Sequence, residues 1–290
     1  MKKTILATML ALATGVVSAQ VTVSGKVSEW IDNTKTGGTS LVAEPTSNFA
    51  FTASEKLGQG LTARAVVDTS LNGNTINGSG TQFGDRRGTV GLASKFGSVD
   101  LGRNVHSEFL AITNNDVFGT LYGSIAGDVH NLRGLRMSNG TFVSITPIKG
   151  VTVTADNSHN ATSANASSYS LSAGAFGVNG TVATYTAGAE KSTVVGLSTK
   201  VGKTTVVYTH SDNQGAVKST GSLIGASQVF GAVTAKASYG TTNTDVKAYS
   251  VGADYAMSKR TDVGVAYRNV DATGTASDVA QVGVGLTHRF

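Results

Sequence analysis

The five histidines are the first residues to test for catalysis or metal binding. Their positions are His106, His130, His159, His210 and His288. They show no metal-ligand spacing, and Gly123-Ser124 lacks the flanking pattern of a nucleophile elbow. The sequence also contains no Gly-Lys-Ser/Thr phosphate-binding loop and no cysteine. We therefore expect neither an enzyme nor a bound metal ion or cofactor.

Charged side chains form the second group of candidates, since a cluster of fixed charges can discriminate among ions. The basic group comprises Lys26, Arg64, Arg86, Arg87, Arg103, Arg133 and Arg136. The acidic group, Glu108, Asp116 and Asp128, lies in the polar segment 104–131. Whether the two groups meet depends on the elements that position them.

The composition excludes several classes of protein. Charged residues make up 14% of the chain, against about 25% in typical soluble domains. Thirty-six glycines with only two prolines argue against a disordered or collagen-like chain. The formal net charge of +5 includes Lys2 and Lys3, and removing these two leaves +3. That excess is too small to favour a nucleic-acid partner.

The N-terminus has the features of a secretory signal peptide. Lys2 and Lys3 precede an apolar run over residues 5–17, and Val17-Ser18-Ala19 forms a cleavage site before Gln20. The run is shorter than the roughly 18–20 apolar residues that a membrane-spanning helix requires. We expect residues 1–19 to be removed on export and residues 20–290 to form a single domain.

Beyond residue 20 the apolar residues recur with a period of two. Residues 21–27 and 61–67 alternate in this way, with Lys26 and Arg64 opposite the apolar faces, and residues 279–290 alternate most clearly. A period of two indicates β-strands, and no helical period stands out beyond the signal segment.

Short and long connections alternate between these segments. Seven short connections lie at 58–60, 97–98, 147–150, 177, 202–203, near 231 and at 258–260. Eight longer polar connections lie at 33–46, 72–85, 104–131, 159–167, 187–190, 212–219, 241–244 and 272–277. Only helices and closed barrels satisfy their backbone in lipid. The pattern therefore predicts an all-β fold, a 16-stranded antiparallel transmembrane β-barrel.

In such a barrel the alternation also decides which charges line water. Lys26 and Arg64 should face the lumen, because an arginine facing lipid at mid-membrane costs about 2–4 kcal/mol. Arg86 and Arg87 are adjacent, so we expect only one of them to point inward. The connection 104–131 is the longest, and we expect it to fold inward and narrow the pore.

Five segments, taken in order, carry a family resemblance. They are residues 21–27, 54–61, 86–92, 96–104 and 284–290. Together they resemble the general porins of Gram-negative bacteria, especially those of the β-proteobacterial type. The likeness spans essentially the whole chain after residue 19. It implies a homotrimer of barrels in outer-membrane lipid, through which small hydrophilic solutes and ions diffuse passively.

The resemblance also assigns a basic side to the pore constriction. Its members would be Lys26, Arg64, Arg86, Arg103 and Arg136. Lys26, Arg86 and Arg136 match wall positions of the family, and Arg103 matches a position near the start of the third extracellular loop. Family members commonly have an arginine where this chain has Asn48, which weakens the case for strong anion selectivity. Arg64 could replace that charge.

The acidic side would come from the third extracellular loop, folded into the lumen. It would present Glu108, Asp116 and Asp128 opposite the bases, with Asp116 at the position where the family has a loop acid. Phe290 ends an alternating strand and resembles the signal that the outer-membrane barrel assembly machinery reads.

Two other functions remain open on the sequence alone. A substrate-specific outer-membrane channel would carry an aromatic track along the lumen, and inward aromatics such as Trp30 are few. A non-conducting β-rich surface protein or adhesin would need neither alternating connections nor a terminal aromatic strand. Heat-modifiable migration on a gel would distinguish the adhesin from a barrel. The sequence leaves the sign of ion selectivity undetermined.

Overall fold

A computed structural model describes residues 20–290 except for 36, 72–82, 120, 131, 133–134, 161–164, 216–217 and 273–278. The predicted signal segment 1–19 and Arg133 lie outside the described residues. Within them, seventeen strand segments form one sheet.

Every strand segment pairs antiparallel with its neighbours, and the last pairs with the first to close the barrel. The segments are β1 (Gln20–Thr34), β2 (Gly38–Ala43), β3 (Asn48–Gly58), β4 (Leu61–Ser70), β5 (Arg87–Ser94), β6 (Gly97–Val105), β7 (Arg136–Ile148), β8 (Val151–Ser158), β9 (Ala166–Ala175), β10 (Val178–Ala187), β11 (Glu190–Val201), β12 (Thr204–Gln214), β13 (Ser219–Phe230), β14 (Val233–Thr242), β15 (Val246–Ala256), β16 (Thr261–Ala272) and β17 (Val279–Arg289).

The seventeen segments make sixteen barrel strands, because β2 and β3 lie end to end along β1. Glu29 pairs with Ala43 at the end of β2, and Lys26 pairs with Asn48 at the start of β3. Between these two pairs, two residues of β1 (27–28) are thus matched by four on the other side (44–47). The two extra residues fall in the segment 44–47, which interrupts this barrel strand. The predicted number of strands is confirmed.

Each strand presents an apolar face outward and small or polar residues inward. On β17, Val282, Val284 and Leu286 are 45–53% exposed, whereas the alternating Gly283 and Gly285 are buried. This alternation matches a barrel whose outer face meets lipid. Within the part of the chain that the structure describes, no helix has the length and apolarity needed to cross a membrane.

Six of the seven predicted short connections are confirmed as tight turns at one rim, and the one predicted at 97–98 lies at 95–96, because Gly97 and Ser98 begin β6. The link from β9 to β10 consists of Phe176 and Gly177 alone, with φ of 53° and 80°. Two positive φ values in a two-residue link give a turn whose twist matches that of the flanking strands. The described residues of the other connections lie at the opposite rim, but the predicted connection 33–46 was wrong, because it contains the end of β1 and all of β2.

The connection between β6 and β7, residues 106–135, contains two short helices and is called the β6–β7 loop below. They are α1 (Ser107–Thr113) and α2 (Ala126–His130). The sequence shows no helical period in this segment. Helices of seven and five residues are too short to show a 3.6-residue period, and α1 begins where His106 Nδ1 accepts a hydrogen bond from the Phe109 amide (3.3 Å).

The main apolar core lies between this loop and the inner barrel wall. Ile112 of α1 and Ile125 and Val129 near α2 are at most 2% exposed. They pack with Val194 of β11 and Leu223 of β13. The two helices contact β8 to β11 and β13 to β15, so the loop covers that side of the inner face.

Candidate functional site

Glycines on the inward faces of the later strands make room for the β6–β7 loop. A Cβ at Gly221 would come within 3.0 Å of the Val129 carbonyl oxygen, and a Cβ at Gly283 would come as close to the Tyr122 ring. Similar contacts recur at Gly196, Gly240 and Gly252. The loop therefore seats on this glycine-lined side of the barrel.

The basic candidates lie on the other side, on β1 and between β4 and β7. Lys26 Nζ lies 2.6 Å from a Glu44 oxygen. The Arg64 guanidinium binds the Asp100 carboxylate through Nε (2.8 Å) and Nη2. Arg64 on β4 faces Gly91 on β5, which in turn faces Asp100 on β6. Because the residue between them on β5 is glycine, no side chain separates Arg64 from Asp100.

Arg86 and Arg87 both reach acids of the inner wall, so the expectation that only one would point inward was wrong. Arg86 Nε lies 3.4 Å from Asp68, and its Nη1 donates to the Pro45 carbonyl (2.8 Å). Arg87 Nη2 lies 3.6 Å from Asp100. Arg86 lies immediately before the first residue of β5. The alternation of inward and outward side chains along a strand therefore does not fix the direction of its side chain.

Arg103 and Arg136 complete the basic group near the long-loop end of β6 and β7. Arg103 Nε donates to the Asp85 carbonyl oxygen (2.7 Å), and its Nη1 to Ser138 Oγ. Arg136 lies near the charges of Arg86 and Arg103. Among described residues, no carboxylate lies within 4.0 Å of Arg103 or Arg136.

Two of the loop acids, Glu108 and Asp116, are buried at separate places along the β6–β7 loop. Glu108 accepts a hydrogen bond from Ser192 Oγ (2.6 Å) on β11 and is 4% exposed. Asp116, 7% exposed, accepts from the Phe118 amide (3.0 Å) and from Ser124 Oγ (2.5 Å). Both carboxylates thus brace the loop.

Asp128 binds Arg268 of β16, with Nη2 2.7 and 2.8 Å from its two carboxylate oxygens. Sequence reasoning missed Arg268 because it lies far from the basic group in the chain. It also missed Asp156, whose carboxylate accepts from the Ser107 amide (2.7 Å). Both contact the β6–β7 loop from the inner wall, and nothing in the sequence showed what they meet.

His130 ties the end of α2 to β12. Its ring nitrogens lie 2.9 Å from Ser211 Oγ and 2.7 Å from Thr209 Oγ1. Burial, together with the nearby His210, lowers the pKa of His130 to about 4. The ring is therefore neutral at neutral pH, so it can accept from one hydroxyl and donate to the other.

A polar cavity of about 250 Å³ lies between the basic wall and the start of the β6–β7 loop. Arg64, Arg87 and Asp100 line it on one side, and Ser107 and Asp156 on the other. Charged walls of both signs around a polar space can pass ions and small hydrophilic solutes.

Comparisons with known proteins agree with this architecture. Residues 6–290 match the family described as Gram-negative porin. No curated protein matches the chain. Among solved structures, the anion-selective porin from Comamonas acidovorans is 21% identical, with a TM-score of 0.77 over 94% of this chain and 100% of that one. OmpT of Vibrio cholerae in its trimer form is 11% identical, with a TM-score of 0.75 over 94% and 99%. Salmonella typhi OmpF in complex with daunomycin is 15% identical, with a TM-score of 0.78 over 94% and 98%.

Substituting Gly221 by alanine is expected to displace the β6–β7 loop while the barrel persists. The added Cβ meets the Val129 carbonyl, and overpacking of this kind costs about 1–3 kcal/mol. Limited proteolysis in detergent should cleave the loop faster than in the unaltered protein, with heat-modifiable migration retained. Gly180→Ala is the matched control, because its nearest neighbour is the Leu197 side chain at 3.4 Å. Equal cleavage of the two variants would contradict the docking role.

Proposed function

The chain belongs to the Gram-negative porin family, and from that premise we propose how its pore is narrowed and which charges govern it. It is an outer-membrane channel for the passive diffusion of small hydrophilic solutes, in a family of channels rather than enzymes. The proposal concerns the constriction, the assembly and the ion preference.

The proposed constriction lies between the basic wall and the β6–β7 loop. Its basic side comprises Lys26, Arg64, Arg86, Arg103 and Arg136. The seating of the loop on the opposite, glycine-lined wall carries the proposal, because it leaves open space on the basic wall, beside Arg64 and the neighbouring Arg87. Glu108, Asp116 and Asp128 belong to the loop side, where their bonds to loop and wall hold its shape.

We propose that the pore weakly prefers anions over cations. Glu44 compensates Lys26, Asp68 compensates Arg86, and Asp100 is shared by Arg64 and Arg87. The uncompensated positive charge has two sources. Arg64 and Arg87 share one carboxylate, and Arg103 and Arg136 lie near the long-loop end. This small positive excess is consistent with Asn48, which stands where family members commonly have an arginine.

The proposed assembly is a homotrimer, exported with residues 1–19 removed and residues 20–290 forming the barrel. OmpT, which shares the fold, is known in a trimer form. Phe290 is proposed as the signal for the barrel assembly machinery. Its ring is 42% exposed and lies 6.3 Å from that of Phe49, and its backbone pairs with Gly25.

Refolded protein spanning residues 20–290 should conduct in a planar bilayer in persistent steps grouped in threes. A trimer gives three pores for each insertion, so native mass measurement should agree with the step grouping. Protein that is folded by heat-modifiable migration but gives no conductance would overturn the open-channel proposal in favour of a non-conducting surface protein. Conductance in single steps would overturn the trimer alone.

The double substitution Arg103→Gln with Arg136→Gln should lower the anion-to-cation permeability ratio by about six- to thirty-fold, the product of two unit-charge effects of about two- to six-fold each. A unit charge about 4–8 Å from a permeating ion in water contributes about 0.5–1 kcal/mol. The reversal potential under a salt gradient measures the ratio. Lys247→Gln, on an exposed residue of β15, is the matched control and should leave the ratio unchanged. An unchanged ratio in the double variant would remove these arginines from the constriction.

A further inference from the structure

The interruption of the second barrel strand at residues 44–47 turns the Glu44 carboxylate toward the β6–β7 loop. Glu44 is 2% exposed. One of its oxygens lies 2.6 Å from Lys26 Nζ, and the other accepts a hydrogen bond from the Tyr122 amide (3.1 Å). The two oxygens therefore act on different parts of the protein, one on the wall and one on the loop.

The loop is held tightly where Glu44 meets it. The Tyr122 ring stacks on Trp30 of β1, with centroids 4.2 Å apart and planes at 10°. Gly283 and Gly285 of β17 leave the space that these two rings occupy. Tyr122 also lies between α1 and α2, away from the apolar core that holds both helices.

We propose that Glu44 is a positioning residue with two separable effects on the pore. It holds the middle of the β6–β7 loop through the Tyr122 amide, and it cancels the charge of Lys26. The inference rests on the proposed constriction, in which Lys26 is a wall base. A carboxylate is the side chain that can do both, because it offers two acceptor oxygens and a negative charge.

Three variants separate the two effects in single-channel recordings. Glu44→Gln keeps an acceptor oxygen but loses the charge, so the permeability ratio should shift toward anions while open-channel noise stays at the unaltered level. Glu44→Ala loses both, so the same shift should come with frequent brief closures. Lys26→Met leaves Glu44 uncompensated, so the channel should stay quiet and shift toward cations.

Each shift is expected to be about two- to six-fold in permeability ratio, the effect of one unit charge near the ion path. Equal noise in Glu44→Gln and Glu44→Ala would overturn the loop-holding role, and unchanged ratios in all three variants would overturn the charge role. Heat-modifiable migration reports folding for each variant. The unaltered protein, recorded first, distinguishes these failures from failure of the channel proposal itself.

A second, independent feature is the charge of the rim that carries the short turns. Its basic residues are Lys56, Lys95, Lys149, Lys200, Lys203, Lys259, Arg260 and Arg289. Against these eight stand three acids, Glu55, Asp254 and Asp262, of which Asp254 pairs with Lys236 and Asp262 with Arg289. Within two residues of the strand ends, the described residues of the opposite rim carry eight bases, at 35, 86, 87, 103, 136, 191, 218 and 247, and eight acids, at 32, 68, 85, 156, 190, 212, 245 and 271. The two mouths of the barrel therefore differ strongly in charge.

Alternation directs several of these bases toward the lumen mouth. Lys200 shares a face with the buried Ser192 and Val194 on β11. Apolar residues at the same turns fall on the outer face, as Phe230 does beside the exposed Ile224. By the same alternation, Lys56 shares a face with the buried Ala50 and Arg289 with the buried Thr287, so these three bases face the opening while Phe230 faces the membrane.

The geometry points to the short-turn mouth as a binding site for soluble polyvalent anions of the phosphate type. Clustered fixed charge raises the local concentration of counter-ions, most strongly at low ionic strength. In the outer-membrane barrel plan the short turns face the periplasm, so such anions would enter or block the pore from that side.

Inorganic tripolyphosphate added to one side of a neutral phosphatidylcholine bilayer tests this site. Conductance should fall when the anion is on the short-turn side only, and the effect should vanish near 1 M salt, where the screening length is about 3 Å. Thr244→Cys, in a chain without cysteine, marks the long-loop side for an impermeant thiol reagent.

Matched triple variants identify the residues responsible. Lys56→Gln, Lys200→Gln and Lys203→Gln together should abolish the block, whereas Lys191→Gln, Lys218→Gln and Lys247→Gln together should leave it intact. Equal block from both sides, or block that survives the first triple variant, would overturn the proposal. Binding that appears only in vesicles containing phosphatidylglycerol would assign the rim to lipid headgroups and also overturn it.

Discussion

The lack of water in the hydrocarbon layer is the constraint on which the rest of the structure depends. A backbone amide there has only another strand as a partner, so the strands close into a barrel and β17 pairs with β1. The interruption at residues 44–47 obeys the same constraint. The Glu44 amide donates to the Ser28 carbonyl (2.9 Å), and the Ser28 amide donates to Ser47 Oγ (3.0 Å). A hydroxyl thus replaces a ladder bond, and the strand can bend inward without leaving a buried amide unpaired.

Closure of sixteen strands creates a second requirement, because a barrel of this width is not filled by its own side chains. The chain meets it by building an apolar core between the β6–β7 loop and one side of the wall. Glycines at positions such as 221 and 283 let the loop approach the strands closely enough to exclude water. The loop therefore rests against one wall, and the open space lies along the wall that carries the bases.

The barrel could be predicted from the sequence because its signals are local. A period of two and short turns at regular spacing need no knowledge of distant residues. The contacts of the site could not be predicted, because they join residues that only closure brings together. Trp30 and Gly285 are neighbours through the pairing of β1 with β17, and Asp128 of the β6–β7 loop meets Arg268 on the wall against which the loop rests. The two helices escaped prediction for another reason, since their lengths give no period to detect.

The strand register explains why a count of basic residues is a poor guide to ion preference. Arg64 and Asp100 lie on strands that do not touch, and they meet because the residue between them in register is Gly91. A Cβ at Gly91 would lie within 3.0 Å of the Asp100 carboxylate, so any larger residue would force the pair apart and expose both charges to the pore. Glycine on an intervening strand thus decides which charges are compensated. The electrostatics of this pore follow from the placement of its smallest residues as much as from that of its charged ones.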